Sequence, residues 1–114
     1  MANLLNETIE DLAKHNKTFD DVIGICGDDF QISIEDFKNL ANKEYNDGYG
    51  GQEVASDLKI VGKDFWLERH EYDGSEWWEY KSIPNLNVLP MQTVKRVIGG
   101  CWDSLAEIQN DNEW

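Results

Sequence analysis

The chain has 114 residues, and its 23 Asp and Glu against 10 Lys and Arg give a formal net charge of −13. With 40% hydrophobic and 11% aromatic residues it can build one core, so a wholly disordered chain is excluded and a single domain over residues 1–114 is expected. The acidity disfavours direct binding to DNA, RNA or an anionic membrane. There is no apolar run of about 18 residues to span a bilayer, and Met1-Ala2-Asn3-Leu4-Leu5-Asn6-Glu7 lacks the basic start of a signal peptide, so a cytoplasmic location is expected.

Residues 4–15 have the spacing of an amphipathic helix, with Asn6 as N-cap, Leu5, Ile9, Leu12 and Ala13 on one face, and Asn16 at its end. Residues 21–34 read as a hairpin about a two-residue Gly27-Asp28 turn, which would pair Ile25 with Phe30 and Ile23 with Ile32 on an apolar face. Val22, Gly24, Cys26, Asp29, Gln31 and Ser33 would fall on the other. Ser33-Ile34-Glu35-Asp36 approximates a capping box, and Ile34, Phe37, Leu40, Ala41 and Tyr45 continue it as a helix over 34–45. Asn46 to Gln52, rich in Asp and Gly, forms a loop.

Residues 57–83 read as a three-stranded meander with turns at Gly62-Lys63 and Asp73-Gly74. Both turns put Leu58, Ile60, Phe65, Leu67, Trp78 and Tyr80 on one face, with Arg69 near its edge. Lys59, Trp66, Glu68, His70, Tyr72, Trp77, Glu79 and Lys81 occupy the other. Pro84 closes the sheet. After it, either Pro90 opens a helix bearing Val94, Val97 and Ile98, or Thr93 to Ile98 form a strand, and Gly99-Gly100 breaks both. Asp103 or Ser104 caps a last helix near 103–110, with Leu105 and Ile108 inward. The fold class is α+β: an antiparallel sheet of about five strands with helices on one face.

No catalytic constellation is present. His15 and His70 belong to no metal-ligand spacing, and Gly48-Tyr49-Gly50-Gly51 lacks the ending of a phosphate loop. Cys26 and Cys101, too few for a structural zinc site, read as free buried thiols. Catalytic residues, metal ligands and cofactors are therefore expected to be none. The informative feature is the polar face of the meander, where Trp66, Tyr72 and Trp77 stand beside Glu68, His70 and Glu79, unless a second layer covers them. Aromatics of this kind anchor protein interfaces, and acids around them steer a basic partner. Residues 1–57 carry 13 acids and 4 bases, so Asp20, Asp21, Asp28, Asp29, Glu35 and Asp36 could form a phosphate-like surface.

The stretch Phe65-Trp66-Leu67-Glu68-Arg69-His70-Glu71-Tyr72-Asp73-Gly74-Ser75-Glu76-Trp77-Trp78-Glu79-Tyr80 resembles a segment of small proteins of Gram-positive phages and mobile elements. Small acidic phage proteins include anti-CRISPR inhibitors, several of which imitate DNA and occupy a nuclease's nucleic-acid channel. Acidity, the aromatic face and this resemblance together give the leading expectation, a non-enzymatic inhibitor of a basic nucleic-acid-handling host protein, such as a CRISPR nuclease. Trp66, Glu68, His70, Tyr72, Glu76, Trp77 and Glu79, with the six acids of residues 20–36, would be its contact residues. The competing expectations are an immunity protein against a toxin nuclease, a virion component, and a small metal-dependent enzyme built on His70, Cys26 or Cys101.

Overall fold

The computed structural model describes residues 1–48, 50–99 and 102–110. The chain divides into two compact units, Met1–Ile83 and Pro84–Trp114. The first unit is α+β. It runs β1 (Ala2–Asn3), α1 (Leu4–Lys14), a 3-10 turn (Phe19–Asp21), β2 (Val22–Cys26), β3 (Gln31–Ile32), α2 (Ile34–Ala41), β4 (Glu44–Tyr45), β5 (Lys59–Gly62), β6 (Phe65–Tyr72) and β7 (Ser75–Ser82). Five strands form an antiparallel sheet in the order β3-β2-β5-β6-β7, and β1 pairs with β4 in a separate two-stranded ladder.

Asn3, not Asn6, caps α1: its backbone is extended and its side chain accepts the Asn6 N–H at 3.0 Å. The inward stripe is also displaced from the apolar one. Thr8 and Leu12 are buried, whereas Ile9 and Ala13 are exposed. Thr8 tolerates the core because its hydroxyl donates to the Leu4 carbonyl at 2.7 Å and accepts the Trp78 indole N–H at 3.0 Å. At the other end Asn16 takes φ +59°, its N–H bonds to the Ala13 carbonyl, and the Lys17 N–H bonds to the Leu12 carbonyl. This is a Schellman closure with Asn in the left-handed position.

The hairpin differs from the two-residue turn expected. Ile25 pairs with Ile32 and Cys26 with Gln31, leaving residues 27–30 as a four-residue loop closed by the Gly27 N–H on the Phe30 carbonyl. Phe30 therefore leaves the pairing and is exposed. Against β5, Val22 pairs with Gly62 and Gly24 with Val61, so Ile23 is the extra residue of a bulge. The bulge resets the alternation: Val22 and Ile25 are buried and Ile23 faces out. Ser33 caps α2 by accepting the Asp36 N–H at 3.0 Å. The helix stops at Ala41, so Leu40 is exposed and Tyr45 belongs to β4, where it pairs with Ala2.

The β5–β6 turn is centred one residue later than expected, at Lys63-Asp64, which leaves the face assignment unchanged. Asp73 (φ +50°) and Gly74 (φ +86°) form the β6–β7 turn, as the Asp-Gly pair predicts. The predicted apolar face is the core face. Ile60, Phe65, Leu67 and Trp78 pack there with Leu12, Val22, Ile25, Phe37 and Ala41. Full burial of Leu12, Ile25, Ile60 and Leu67 contributes about 2 kcal/mol each. Both helices lie on this face, α1 against β7 and α2 against β2, which leaves the outer face of the sheet bare of helices from this unit.

In the second unit, a 3-10 turn (Leu86–Val88) and α3 (Leu105–Gln109) are the regular elements among the described residues. Residues 89–98 are neither the helix from Pro90 nor the strand from Thr93. Ser104 caps α3 in a full capping box with Glu107. Ile108 is buried over Gly99, while Leu105 is exposed instead of inward. The Gln109 amide closes the unit by donating to the Arg96 carbonyl at 2.6 Å.

Candidate functional site

The outer face of β5, β6 and β7 is built by strand alternation. Trp66 lies opposite Lys81, Glu68 opposite Glu79, His70 opposite Trp77, and Lys59 flanks Glu68 from β5. Tyr72 is exposed at the β6 end, Trp77 is 37% exposed, and Trp66, Glu68, His70 and Glu79 are half-buried. Tyr72 and Trp77 are thus the more open aromatics of this face, and Trp66 the more covered one.

Glu68 organises it. The Trp66 indole donates to one carboxylate oxygen at 2.7 Å, and the His70 Nε2 lies 2.7 Å from the other. The Trp66 hydrogen bond first, and the His70 contact second, hold the Glu68 carboxyl below the usual carboxylate range. Both oxygens being engaged, Trp66, Glu68 and His70 form a braced row along β6. Glu79 faces that row from β7, and its carboxylate makes no hydrogen bond or ion pair among the described residues. Directly opposed like charges destabilise a strand pair, and Lys81 lies two residues further along the same face of β7.

The six acids of residues 20–36 do not join this face as one patch. Asp20 and Asp21 precede β2, and the Asp21 carboxylate is used to cap the Thr18 N–H. Asp28 and Asp29 lie beyond its other end, where Asp28 also pairs with Lys59. Glu35 and Asp36 sit in the first turn of α2, on the helix side of the sheet. All six residues are exposed.

Glu76, expected among the contact residues, is instead buried on the core side of β7. It is 4% exposed, and its carboxylate accepts the Arg69 guanidinium at 2.7 Å and the Glu53 and Val54 N–H groups at 2.7 and 3.3 Å. Arg69, fully buried, also donates to Glu7 at 2.9 Å and to the Tyr45 hydroxyl at 3.0 Å, and its charge lies 4.7 Å from the centre of the Trp78 ring. The Tyr45 hydroxyl donates in turn to Glu7. Burial and then the Glu7 contact push the tyrosine upward. Burial works against the guanidinium's charge, but Glu76, Tyr45 and Glu7 together raise its pKa further. This network joins α1, β4, β6, β7 and the loop at 53–54. One signal for it lay in the alternation: Arg69 follows Phe65 and Leu67 on the inward parity of β6.

No family model, curated protein or solved structure matches this chain. Its site is thus defined by its own geometry. Among the described residues, no three His, Cys, Asp or Glu side chains are grouped to hold a metal, and no helix is long and apolar enough to cross a membrane. Cys26 is a half-buried free thiol, and Cys101 lies outside the described residues.

Proposed function

We propose that this chain is a non-enzymatic binding protein that docks the outer face of β6 and β7 on a basic nucleic-acid-handling protein and blocks it. The observation that carries this is the unpartnered Glu79 carboxylate, set between exposed Trp77 and the braced Glu68 row in a chain of net charge −13. A Lys or Arg from the partner would pair with Glu79 and relieve its opposition to Glu68. Trp66, Tyr72 and Trp77 would supply the apolar anchors. Asp20, Asp28, Asp29, Glu35 and Asp36, outside the contact itself, would add to the negative field that steers a basic partner, raising the association rate more than the affinity. The likeness of residues 65–80 to phage proteins makes a CRISPR nuclease of a Gram-positive host the first target to try.

The test is capture from such a lysate by the tagged chain at low and at high salt, beside its Trp77→Ala and Glu79→Lys variants. A basic nucleic-acid-binding protein should be retained at low salt, released at high salt and lost with either variant. The purified target should then lose its DNA when the wild-type chain is added. Capture that is indifferent to salt and to both variants would sink the proposal.

A further inference from the structure

We infer that the free edge of β7 is a strand-addition site, taking an extended segment of the partner with an Arg or Lys opposite Glu79. This rests on the binding role proposed above and names the shape and charge of what that face takes. β7 ends the five-stranded sheet, and its eight residues pair with β6 in unbroken register from Phe65–Ser82 to Tyr72–Ser75. The strand at the opposite end, β3, has two residues. β7 is thus the long edge of this sheet. Neither a proline nor a bulge interrupts it, although folded proteins commonly use both to blunt such an edge.

Hydrogen-bond parity shows what that edge offers. Across the two-residue Asp73-Gly74 turn, Tyr72 and Ser75 form the closing hydrogen-bonded pair, so the odd residues of β7 aim their N–H and C=O groups at β6. The Ile83 N–H on the Asp64 carbonyl at 2.8 Å continues this parity. The even residues aim the other way. Glu76 donates its N–H to the Asp47 carbonyl at 2.8 Å, but the N–H and C=O groups of Trp78, Tyr80 and Ser82 have no hydrogen-bond partner among the described residues. An added strand can therefore pair with these three residues and ends where Asp47 closes the edge.

Side chains set the register. The residue facing Glu79 on the added strand falls at a non-hydrogen-bonded position, where opposed Cα atoms are about 4.5 Å apart and side chains meet closely. A cation there pairs with a carboxylate that has no partner among the described residues, and it offsets the opposition of Glu79 to Glu68. Two residues to either side, Lys81 favours an acid and the exposed Trp77 an aliphatic side chain. The ladders of this unit are antiparallel among the described residues. An added strand that keeps this sense reads, from its N-terminus, acid, any residue, Arg or Lys, any residue, aliphatic. A second copy of this chain is the poorer occupant, since it brings its own −13.

The test is a nuclear magnetic resonance titration of the nitrogen-labelled full chain with the end-capped peptide Thr-Glu-Val-Arg-Thr-Val, taken to millimolar concentration. The amide signals of Trp78, Tyr80 and Ser82 should shift, and their hydrogen exchange should slow as the peptide saturates. Methylating the nitrogen of the first Val, which aims at the Tyr80 carbonyl, should abolish these changes. Methylating the Arg nitrogen, which aims away from β7, should leave them. Glu79→Lys should keep the wild-type near-ultraviolet circular dichroism and weaken binding about fivefold or more, and the peptide with Glu in place of Arg should regain it on that variant. Unmoved signals at all three amides, equal effects of the two methylations, or a dimer of the chain that protects the same amides would overturn the inference. Salt-sensitive lysate capture persisting beside such a result would place the fault in the added strand and not in the basic partner.

Discussion

Arg69 occupies an inward position of β6 that Phe65 and Leu67 lead one to expect will be apolar, and its side chain is fully buried. A buried guanidinium is tolerable only while Glu7, Glu76 and Tyr45 surround it, since desolvation outweighs any single attraction. Arg69→Ala should therefore cost about 3–5 kcal/mol in urea unfolding, because Glu76 is left charged in the core. Arg69→Met, which restores volume without charge, should regain only part of that loss. Tyr45 gives the network a pH signature. Its pKa is raised in the folded chain, so its contribution to stability is complete below the unfolded tyrosine value of about 10 and is lost as pH rises above it. Melting temperatures from about pH 8 to pH 11 should fall more steeply for the wild type than for Tyr45→Phe. At neutral pH the variant should already be about 1–3 kcal/mol less stable, its Glu7 and Arg69 partners each missing a hydrogen bond.

Elements follow from the sequence where a local rule acts alone. At the end of α1 only the left-handed position of the Schellman closure matters, and Asn16 holds it at φ +59°. Asn16→Gly should be within about 0.5 kcal/mol of the wild type, whereas the β-branched Asn16→Val should destabilise by roughly 1–2 kcal/mol in thermal unfolding. The β6–β7 hairpin was legible for the same reason: Asp73-Gly74 adopts positive φ at both residues, and eight-residue strands repeat their alternation often enough to fix the face. The placing of Trp66, Glu68, His70, Trp77 and Glu79 on one face was legible with it. The hairpin at β2–β3 was not, because the bulge at Ile23 is a backbone event that no side-chain pattern announces. Nor was the two-residue β4, too short for any periodicity, which drew Tyr45 out of the expected helix. The same limit hid the true place of Glu76. Its burial requires the Glu53 and Val54 amides to fold over it, a contact 22 and 23 residues away in sequence.

At the scale of the whole molecule, charge separates stability from binding. The ion pairs Lys14–Asp11 and Lys59–Asp28 involve exposed groups worth about 0–1 kcal/mol each. The Arg69 pairs are buried and weakly screened. What salt can change most is the mutual repulsion of the 19 acids in residues 1–83. The screening length falls from about 30 Å at 0.01 M to about 8 Å at 0.15 M, from beyond the span of such a unit to well inside it. The urea midpoint of the full chain should thus rise with sodium chloride over this range. Asp29→Lys, which replaces a negative charge by a positive one in an exposed loop, should lessen the rise. A midpoint that falls with salt would mean that attractive surface pairs outweigh repulsion. The acid excess would then stabilise the fold and need no partner to explain it. A rising midpoint, together with a complex that weakens in the same salt, would show acids kept at a cost to folding, as expected of a surface shaped to meet a basic partner.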